Sequence, residues 1–168
     1  MTLPKLKYVD TAVTFAEVPD EISLCINISN CPIKCKDCHS KYLWENIGKQ
    51  LNTKILDSLI KQNEGITCIC FMGGDINVKE ILIFARYIRK NYSNLKIAWY
   101  SGQEKISKII KRELHNFDYI KTGPFIKEFG PLNSKTTNQR LYEVCCISIW
   151  KVYHDITYKF WKNDKKDN

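Results

Sequence analysis

Residues 22–39 read ISLCINISNCPIKCKDCH, a strand-like stretch that runs directly into three closely spaced cysteines. In its first half, apolar and polar residues alternate. Four aliphatic side chains share one side of this half: Ile22, Leu24, Ile26 and Ile28. Because side chains along a strand point alternately to its two faces, the pattern predicts a β-strand with one buried face. Such a strand carries the cysteine-rich loop to one end of a sheet.

The chain downstream alternates between helical and strand patterns. Apolar residues recur at helical spacing around Leu56, after Asn77 and over residues 104–114. Asn52 or Thr53 is the candidate cap of the first helix, and Asn77 and Glu80 have the spacing of a capping box at the start of the second. Short apolar runs predict strands at residues 66–71, 95–100, 119–121 and 144–153. This alternation is typical of βαβ units, so we predict an α/β fold with a mainly parallel sheet. Ligands of such folds bind at the carboxyl ends of the strands.

Composition indicates one domain over residues 1–168, with the motifs in about 22–143 and a polar tail at 162–168. The chain has 168 residues, 44% of them hydrophobic, and a net charge of +8. Its longest uncharged stretch is the twelve residues 22–33, too short for a transmembrane helix. The first residues lack the apolar core of a signal peptide, so we expect a cytoplasmic protein. No long Lys/Arg run is present, and nucleic-acid binding is not expected.

The eight cysteines suggest metal or redox chemistry, since thiols stay reduced in the cytosol. Cys31, Cys35 and Cys38 have the spacing C-x3-C-x2-C, which lets one loop wrap a soft metal centre. Structural zinc needs a fourth ligand, which Cys25, Cys68 or Cys70 would supply. A haem attachment pattern begins at Cys35 but requires export, and a C-x-x-C redox pair leaves Cys31 unexplained. The remaining alternative is a 4Fe-4S cluster with one iron open to a substrate.

A second motif follows the predicted strand 66–71. Gly73 and Gly74 allow a ligand to approach the backbone closely, and Asp75 offers a carboxylate for an ammonium group. The alternative is a tight turn before a helix. We favour a ligand site because the motif follows a three-cysteine loop in the same predicted sheet.

Together these residues resemble the radical S-adenosylmethionine (SAM) superfamily, whose motifs they match at Cys31, Cys35, Cys38 and at 73–75. Three further stretches resemble one branch, the anaerobic ribonucleoside-triphosphate reductase activating proteins: 99–102, 121–124 and 136–140. The chain departs from the superfamily pattern twice. Asp75 stands where Glu is usual, and Asp37 stands where an aromatic residue is frequent.

The resemblance implies an open, partial (β/α) barrel and an enzyme that cleaves SAM reductively at a 4Fe-4S cluster. Its product is a glycyl radical on the partner reductase. Gly73, Gly74 and Asp75 are expected to orient the methionine end of SAM, and the backbone of Asp37–His39 to lie near the adenine. No catalytic residue is expected beyond the cluster ligands. The implied partners are a glycine-bearing loop of the reductase and an electron donor such as a flavodoxin or ferredoxin.

Two other functions stay open at this point. One is a radical SAM enzyme that acts on another glycyl radical enzyme or on a small molecule. The other is a non-catalytic zinc or iron–sulfur binding module. Cys68 and Cys70 are expected to pack as small buried residues. Cys25 is expected to lie near the cluster. Cys145 and Cys146 are expected to pack as apolar residues, because a disulfide between adjacent cysteines is strained.

Overall fold

The computed structural model describes residues 5–147 and 150–161, so the predicted polar tail at 162–168 lies outside the described residues. These parts of the chain form one eight-stranded sheet and three α-helices. The strands are β1 (Lys7–Thr14), β2 (Ser23–Ile28), β3 (Lys49–Gln50), β4 (Cys68–Met72), β5 (Lys96–Tyr100), β6 (Tyr119–Thr122), β7 (Arg140–Ile147) and β8 (Trp150–Asp155). The helices are α1 (Thr53–Gln62), α2 (Val78–Asn91) and α3 (Lys108–Lys111).

The sheet is mixed, in the order β3-β1-β2-β4-β5-β6-β7-β8. Four of its seven pairings are antiparallel, and the three parallel ones join β2, β4, β5 and β6. The predictions of a mainly parallel sheet and of an open partial (β/α) barrel are therefore wrong. Parallel neighbours need a long crossover, usually a helix, and in the described residues no α-helix separates β1 from β2, β6 from β7 or β7 from β8.

Two local predictions also need correction, and one long strand was not predicted. The helix expected over residues 104–114 shortens to α3 and a 3₁₀ turn at Leu114–Asn116. The single last strand expected over residues 144–153 is a hairpin of β7 and β8. Strand β1 was not predicted, and it pairs with β2 from Thr14↔Ser23 to Tyr8↔Ile28.

Side-chain caps fix the starts of α1 and α2. Asn52 accepts a hydrogen bond from the Ile55 amide at 3.0 Å, and Asn77 accepts one from the Glu80 amide at 3.2 Å. The capping predicted from Asn77 and Glu80 is thus confirmed. Buried Glu80 also accepts the Leu6 amide at 2.6 Å, which ties the segment before β1 to α2.

The sheet has two buried faces. On the helix-covered face, the side chains of β2, β4 and β5 pack against α1 and α2, with Ile26, Phe71 and Trp99 at the centre. The opposite face carries a second apolar cluster that includes Cys25, Cys70 and Tyr100. Strand β2 therefore presents its aliphatic residues to the helices and its smaller residues to the other side. In the described parts of the chain, no helix has the length and apolar character needed to span a bilayer.

One row of side chains crosses the four parallel strands near their carboxyl ends. Asn27 pairs in register with Met72, Met72 with Tyr100, and Tyr100 with Lys121. All four lie on the face opposite the helices, because they alternate with Ile26, Phe71, Trp99 and Ile120. This row forms the floor of the site described next.

Candidate metal centre

The three-cysteine loop begins immediately beyond the end of β2. Asn30 and Lys34 take left-handed backbone angles, with φ of 60° and 48°, so the chain turns sharply on both sides of Cys31. The Cys31 amide bonds the Leu43 carbonyl at 2.9 Å, and the Cys38 amide bonds the Cys35 carbonyl at 3.0 Å. The loop is therefore held in a compact turn against the 3₁₀ helix Lys41–Trp44.

Backbone amides point at two of the three sulfurs. The Ser40 amide donates to Cys38 Sγ at 3.4 Å. Burial raises the pKa of the Cys31 thiol, and hydrogen bonds from the Lys34 and Ile33 amides oppose that rise. Amide donors of this kind stabilise thiolates, and hydrogen bonds to the sulfurs help to set the potential of iron–sulfur clusters.

A cavity of about 210 Å³, here called the inner pocket, opens beside this loop. Cys31 and Cys38 line one part of it, and Gly73 and Asp75 line another. Its floor is the row of Asn27, Met72, Tyr100 and Lys121. The structure therefore brings the two motifs singled out in the sequence to one pocket, although they lie about forty residues apart.

The carboxylate of Asp75 is held firmly at the pocket wall. Its Oδ1 accepts the Ser101 hydroxyl at 2.5 Å, and its Oδ2 accepts the Gly102 amide at 2.9 Å. Burial raises the pKa of Asp75, and these two hydrogen bonds oppose the rise. Each carboxylate oxygen can accept a further bond, so an ammonium group in the pocket would find an oriented acceptor.

Gly73 and Gly74 have different roles. Both adopt positive φ, 97° and 92°, which side chains rarely tolerate. Gly73 lines the pocket, and its carbonyl accepts the Trp99 indole N–H at 2.8 Å. Gly74 lies beneath it, where a Cβ would come within 2.6 Å of Ile81 Cδ1. The second glycine is thus required by the packing of α2 under the site.

Lys121 is the cation of the inner pocket. It is buried, and its Nζ donates to the Gly123 carbonyl at 2.7 Å. Burial lowers its pKa to about 8, while negative charge on Cys35, Asp75 and Glu17 opposes that effect. An anionic group entering the pocket would stabilise this ammonium, as Asp75 would stabilise a cationic one.

The remaining predicted contacts, Asp37 and His39, lie on the outer side of the cysteine loop. A second cavity of about 460 Å³, here called the outer pocket, shares Cys38, Ser40, Met72, Tyr100 and Lys121 with the inner one. His39 lines the outer pocket and its ring lies 5.0 Å from that of Phe125. Asp37 lines a smaller neighbouring depression with Cys38 and Lys127. Neither residue borders the inner pocket.

Three other cysteines belong to the core of the sheet. Cys68 and Cys70 are fully buried, as predicted, and Cys25 pairs in register with Cys70. Burial raises the pKa of the Cys68 and Cys70 thiols well above the ordinary value, so both stay neutral. Cys145 is half-buried in β7. The side chain of Cys146 lies outside the described residues.

The donor set fits a cluster better than a single ion. Among residues 5–147 and 150–161, no three His, Cys, Asp or Glu side chains are close enough to hold one metal ion together. A single zinc ion needs four ligands at about 2.0–2.3 Å. A 4Fe-4S cluster takes each thiolate at a different iron, so its ligands need not lie close around one ion. Cys31 and Cys38 line the inner pocket, whereas Cys35 does not.

Sequence patterns missed part of the site. Leu43 and Trp44 line the inner pocket, and the Lys41 ammonium lies 5.5 Å from the Trp44 ring centre. Trp44 stands six residues after Cys38 in the run Tyr42, Leu43 and Trp44, and this short apolar run directly after the cysteine loop was the available signal. Glu17, which lines the outer pocket, precedes β2 in a segment without any periodic pattern.

Comparison with known proteins agrees with this donor set. No curated protein and no solved structure matches the chain. Residues 22–144 match the family described as 4Fe-4S single cluster domain, a range that includes the cysteine loop, Asp75 and Lys121. Since this match covers well over half of the sequence, the chain belongs to the family of 4Fe-4S single cluster domains.

Proposed function

We propose that this iron–sulfur protein is a radical SAM activase. It would cleave SAM reductively and generate a glycyl radical on an anaerobic ribonucleoside-triphosphate reductase. The observation that carries the proposal is the inner pocket, where Cys31 and Cys38 share a cavity with Gly73 and Asp75. Cys31, Cys35 and Cys38 would hold the cluster, and three protein ligands leave one iron open to a substrate.

The chemistry belongs to the cluster and SAM. When bound and reduced, the cluster would supply the one electron that splits SAM into methionine and a 5′-deoxyadenosyl radical, and that radical would take a hydrogen atom from a glycine Cα. The protein's part is to bind, orient and exclude water. No side chain of the inner pocket is required to transfer a proton.

Charge in the inner pocket supports the methionine end of SAM as a ligand. That end carries an ammonium and a carboxylate on the same carbon atom. Asp75 offers an oriented acceptor for the ammonium, and buried Lys121 offers a cation for the carboxylate. Gly73 has no side chain and leaves its stretch of backbone open to the ligand.

The apolar part of the inner pocket supports a nucleoside as the other half of the ligand. Leu43, Trp44 and Met72 line it. Aromatic and thioether side chains pack well against a purine ring. Of residues 37–39, which are expected near the adenine, only Cys38 lines the inner pocket, so a contact with the adenine there would come from Cys38.

The partners follow from the same proposal. The reductase would present its glycine at the mouth of the two pockets, and a flavodoxin or ferredoxin would supply the electron. Exposed Lys34 and Lys36, next to the cluster ligands, add positive charge that suits an acidic donor protein.

Anaerobic reconstitution with iron and sulfide tests the proposal. We expect about four irons per chain and release of methionine and 5′-deoxyadenosine from SAM after dithionite is added. Incubation with the reductase should then produce a glycyl radical in electron paramagnetic resonance spectra. Bound zinc without SAM cleavage would contradict the proposal and favour a non-catalytic binding module. SAM cleavage with a radical on a different enzyme would refute the choice of reductase.

A further inference from the structure

The outer pocket contains a carboxylate that nothing described so far uses. Glu17 lies in the segment between β1 and β2 and lines the pocket opposite the loop that follows β6. Two contacts fix this segment. The Tyr100 hydroxyl donates to the main-chain carbonyl of Glu17, and Lys159 pairs with Asp20 at 3.3 Å. The carboxylate therefore projects from an anchored backbone.

The Glu17 side chain has no hydrogen-bond or ion-pair partner among residues 5–147 and 150–161. It is half-buried, and burial raises its pKa, while the positive charge of Lys121 opposes the rise. Lys121 already donates to the Gly123 carbonyl and forms no ion pair with Glu17. A partly desolvated carboxylate without a donor is costly, so a ligand that supplies an N–H group would be favoured there.

The walls around Glu17 are largely apolar. Phe125, Leu132 and Phe160 line the same pocket, and Gln139 adds one amide group. A ligand that fits must therefore combine an N–H donor with small or apolar groups. A peptide backbone has this composition, because its N–H groups alternate with Cα groups that are small or carry apolar side chains.

Large exposed apolar side chains lie close in sequence to residues that line the outer pocket. Phe15 is 75% exposed, Phe129 is 46% exposed and Tyr158 is 58% exposed. Each lies within two residues of a residue that lines the pocket: Ala16, Pro131 and Phe160. Exposed aromatic residues near a pocket that contains a few polar groups are typical of protein interfaces. They favour a polypeptide over a small metabolite.

We propose that Glu17 binds a main-chain N–H of an extended peptide segment in the outer pocket and so positions the polypeptide target. The proposal rests on the proposed function in one respect, since it assumes that the target is a polypeptide. Glu17 is a positioning residue here, and it takes no part in the cleavage of SAM.

Calorimetric titration of the cluster-loaded chain with an N-acetylated, C-amidated pentaglycine tests the proposal. Removing a hydrogen bond to a charged group should weaken binding about tenfold in Glu17→Met. Glu17→Gln keeps an acceptor oxygen and should lose less. Glu64→Met, at an exposed position outside the pocket, should bind like the wild type. The pentasarcosine analogue, which lacks amide N–H groups, should bind the wild type no better than pentaglycine binds Glu17→Met.

Equal affinity of the wild type, Glu17→Met and Glu17→Gln for pentaglycine would overturn the inference. So would unchanged affinity for pentasarcosine, or tighter binding of free glycinamide than of the capped peptide. SAM cleavage by the wild type and by Glu64→Met, measured without peptide, is an independent readout. Its absence would refute the proposed function, whereas Glu17-independent peptide binding would refute this inference alone.

Discussion

Replacing Gly74 by Ala tests whether the turn below the inner pocket is fixed by packing as well as by backbone conformation. Gly74 has φ of 92°, and an added Cβ would lie 2.6 Å from Ile81 Cδ1 and 2.9 Å from Ile81 Cγ1. The left-handed backbone costs an alanine about 1–2 kcal/mol. Overpacking a fully buried site costs about 1–3 kcal/mol more. We therefore expect Gly74→Ala to lower the free energy of unfolding by about 2–5 kcal/mol.

Gly65→Ala is the matched control, because Gly65 has a similar φ of 84° and no atom within 4 Å of the added Cβ. It should lose only the backbone contribution of about 1–2 kcal/mol. Anaerobic urea unfolding of the cluster-loaded variants, followed by far-ultraviolet circular dichroism, measures the difference. Equal losses in the two variants would refute the packing argument.

A double-mutant cycle separates the contact itself. Ile81→Val removes Cδ1, the closest atom, and should cost about 0.5–1.5 kcal/mol on its own because Ile81 is buried. In the Gly74→Ala background the same change should cost less, since it removes the closer of the two clashing atoms and leaves only Cγ1. Strictly additive losses would show that Gly74 and Ile81 do not interact.

Further predictions concern the ligands and the polar networks of the fold. Replacing any one loop cysteine by alanine should abolish SAM cleavage and lower bound iron, whereas Cys145→Ala should not; equal loss in all four variants would show a wrong ligand set. Glu21 accepts Lys96 at 2.5 Å, Thr67 at 2.6 Å and Tyr119 at 3.1 Å, so Glu21→Gln should lower the free energy of unfolding by about 1–3 kcal/mol in urea titrations. Unchanged stability would show that this network is not stabilising. Hydrogen bonds from Tyr92 and Tyr87 lower the pKa of Asp57. Its stabilising effect is therefore present above about pH 4 and lost as pH falls further, and the stability difference between the wild type and Asp57→Asn should shrink there. If the stability difference between these two proteins did not change with pH, the charge of Asp57 would not be stabilising.

The sequence predicted the centre of the sheet better than its edges. Strand β2, the caps at Asn52 and Asn77, and the buried strand before Gly73 all follow from local periodicity and capping chemistry. The direction of each strand was harder to predict, because it depends on the connection to its neighbour and not on the residues of the strand itself. The pattern of βαβ units was extended from the centre to β7 and β8, which are linked by a hairpin. Strand β1 was missed because its residues alternate only weakly and most of them are partly exposed.

The site divides in the same way. Spacing along the chain was enough to single out Cys31, Cys35, Cys38 and Asp75, since each belongs to a compact motif at the end of a predicted strand. Trp44 and Glu17 lie in irregular segments between strands, and the path of those segments brings them to the pockets. The periodicity of the sequence does not predict such a path. Lys121 reaches the floor of the inner pocket because the register between β5 and β6 pairs it with Tyr100.

The charges around Lys121 explain how a basic residue can stand in the buried row that also contains Tyr100. Burying an ammonium group is costly unless opposite charge lies nearby. Three residues supply that charge, Cys35, Asp75 and Glu17, and they come from three separate parts of the chain. Thiolates that hold a cluster add negative charge at the same place, so they favour the ammonium further. The cation and the cysteine loop are therefore electrostatically coupled, and the fold is what brings them together, because Lys121 and Cys35 are far apart in the sequence.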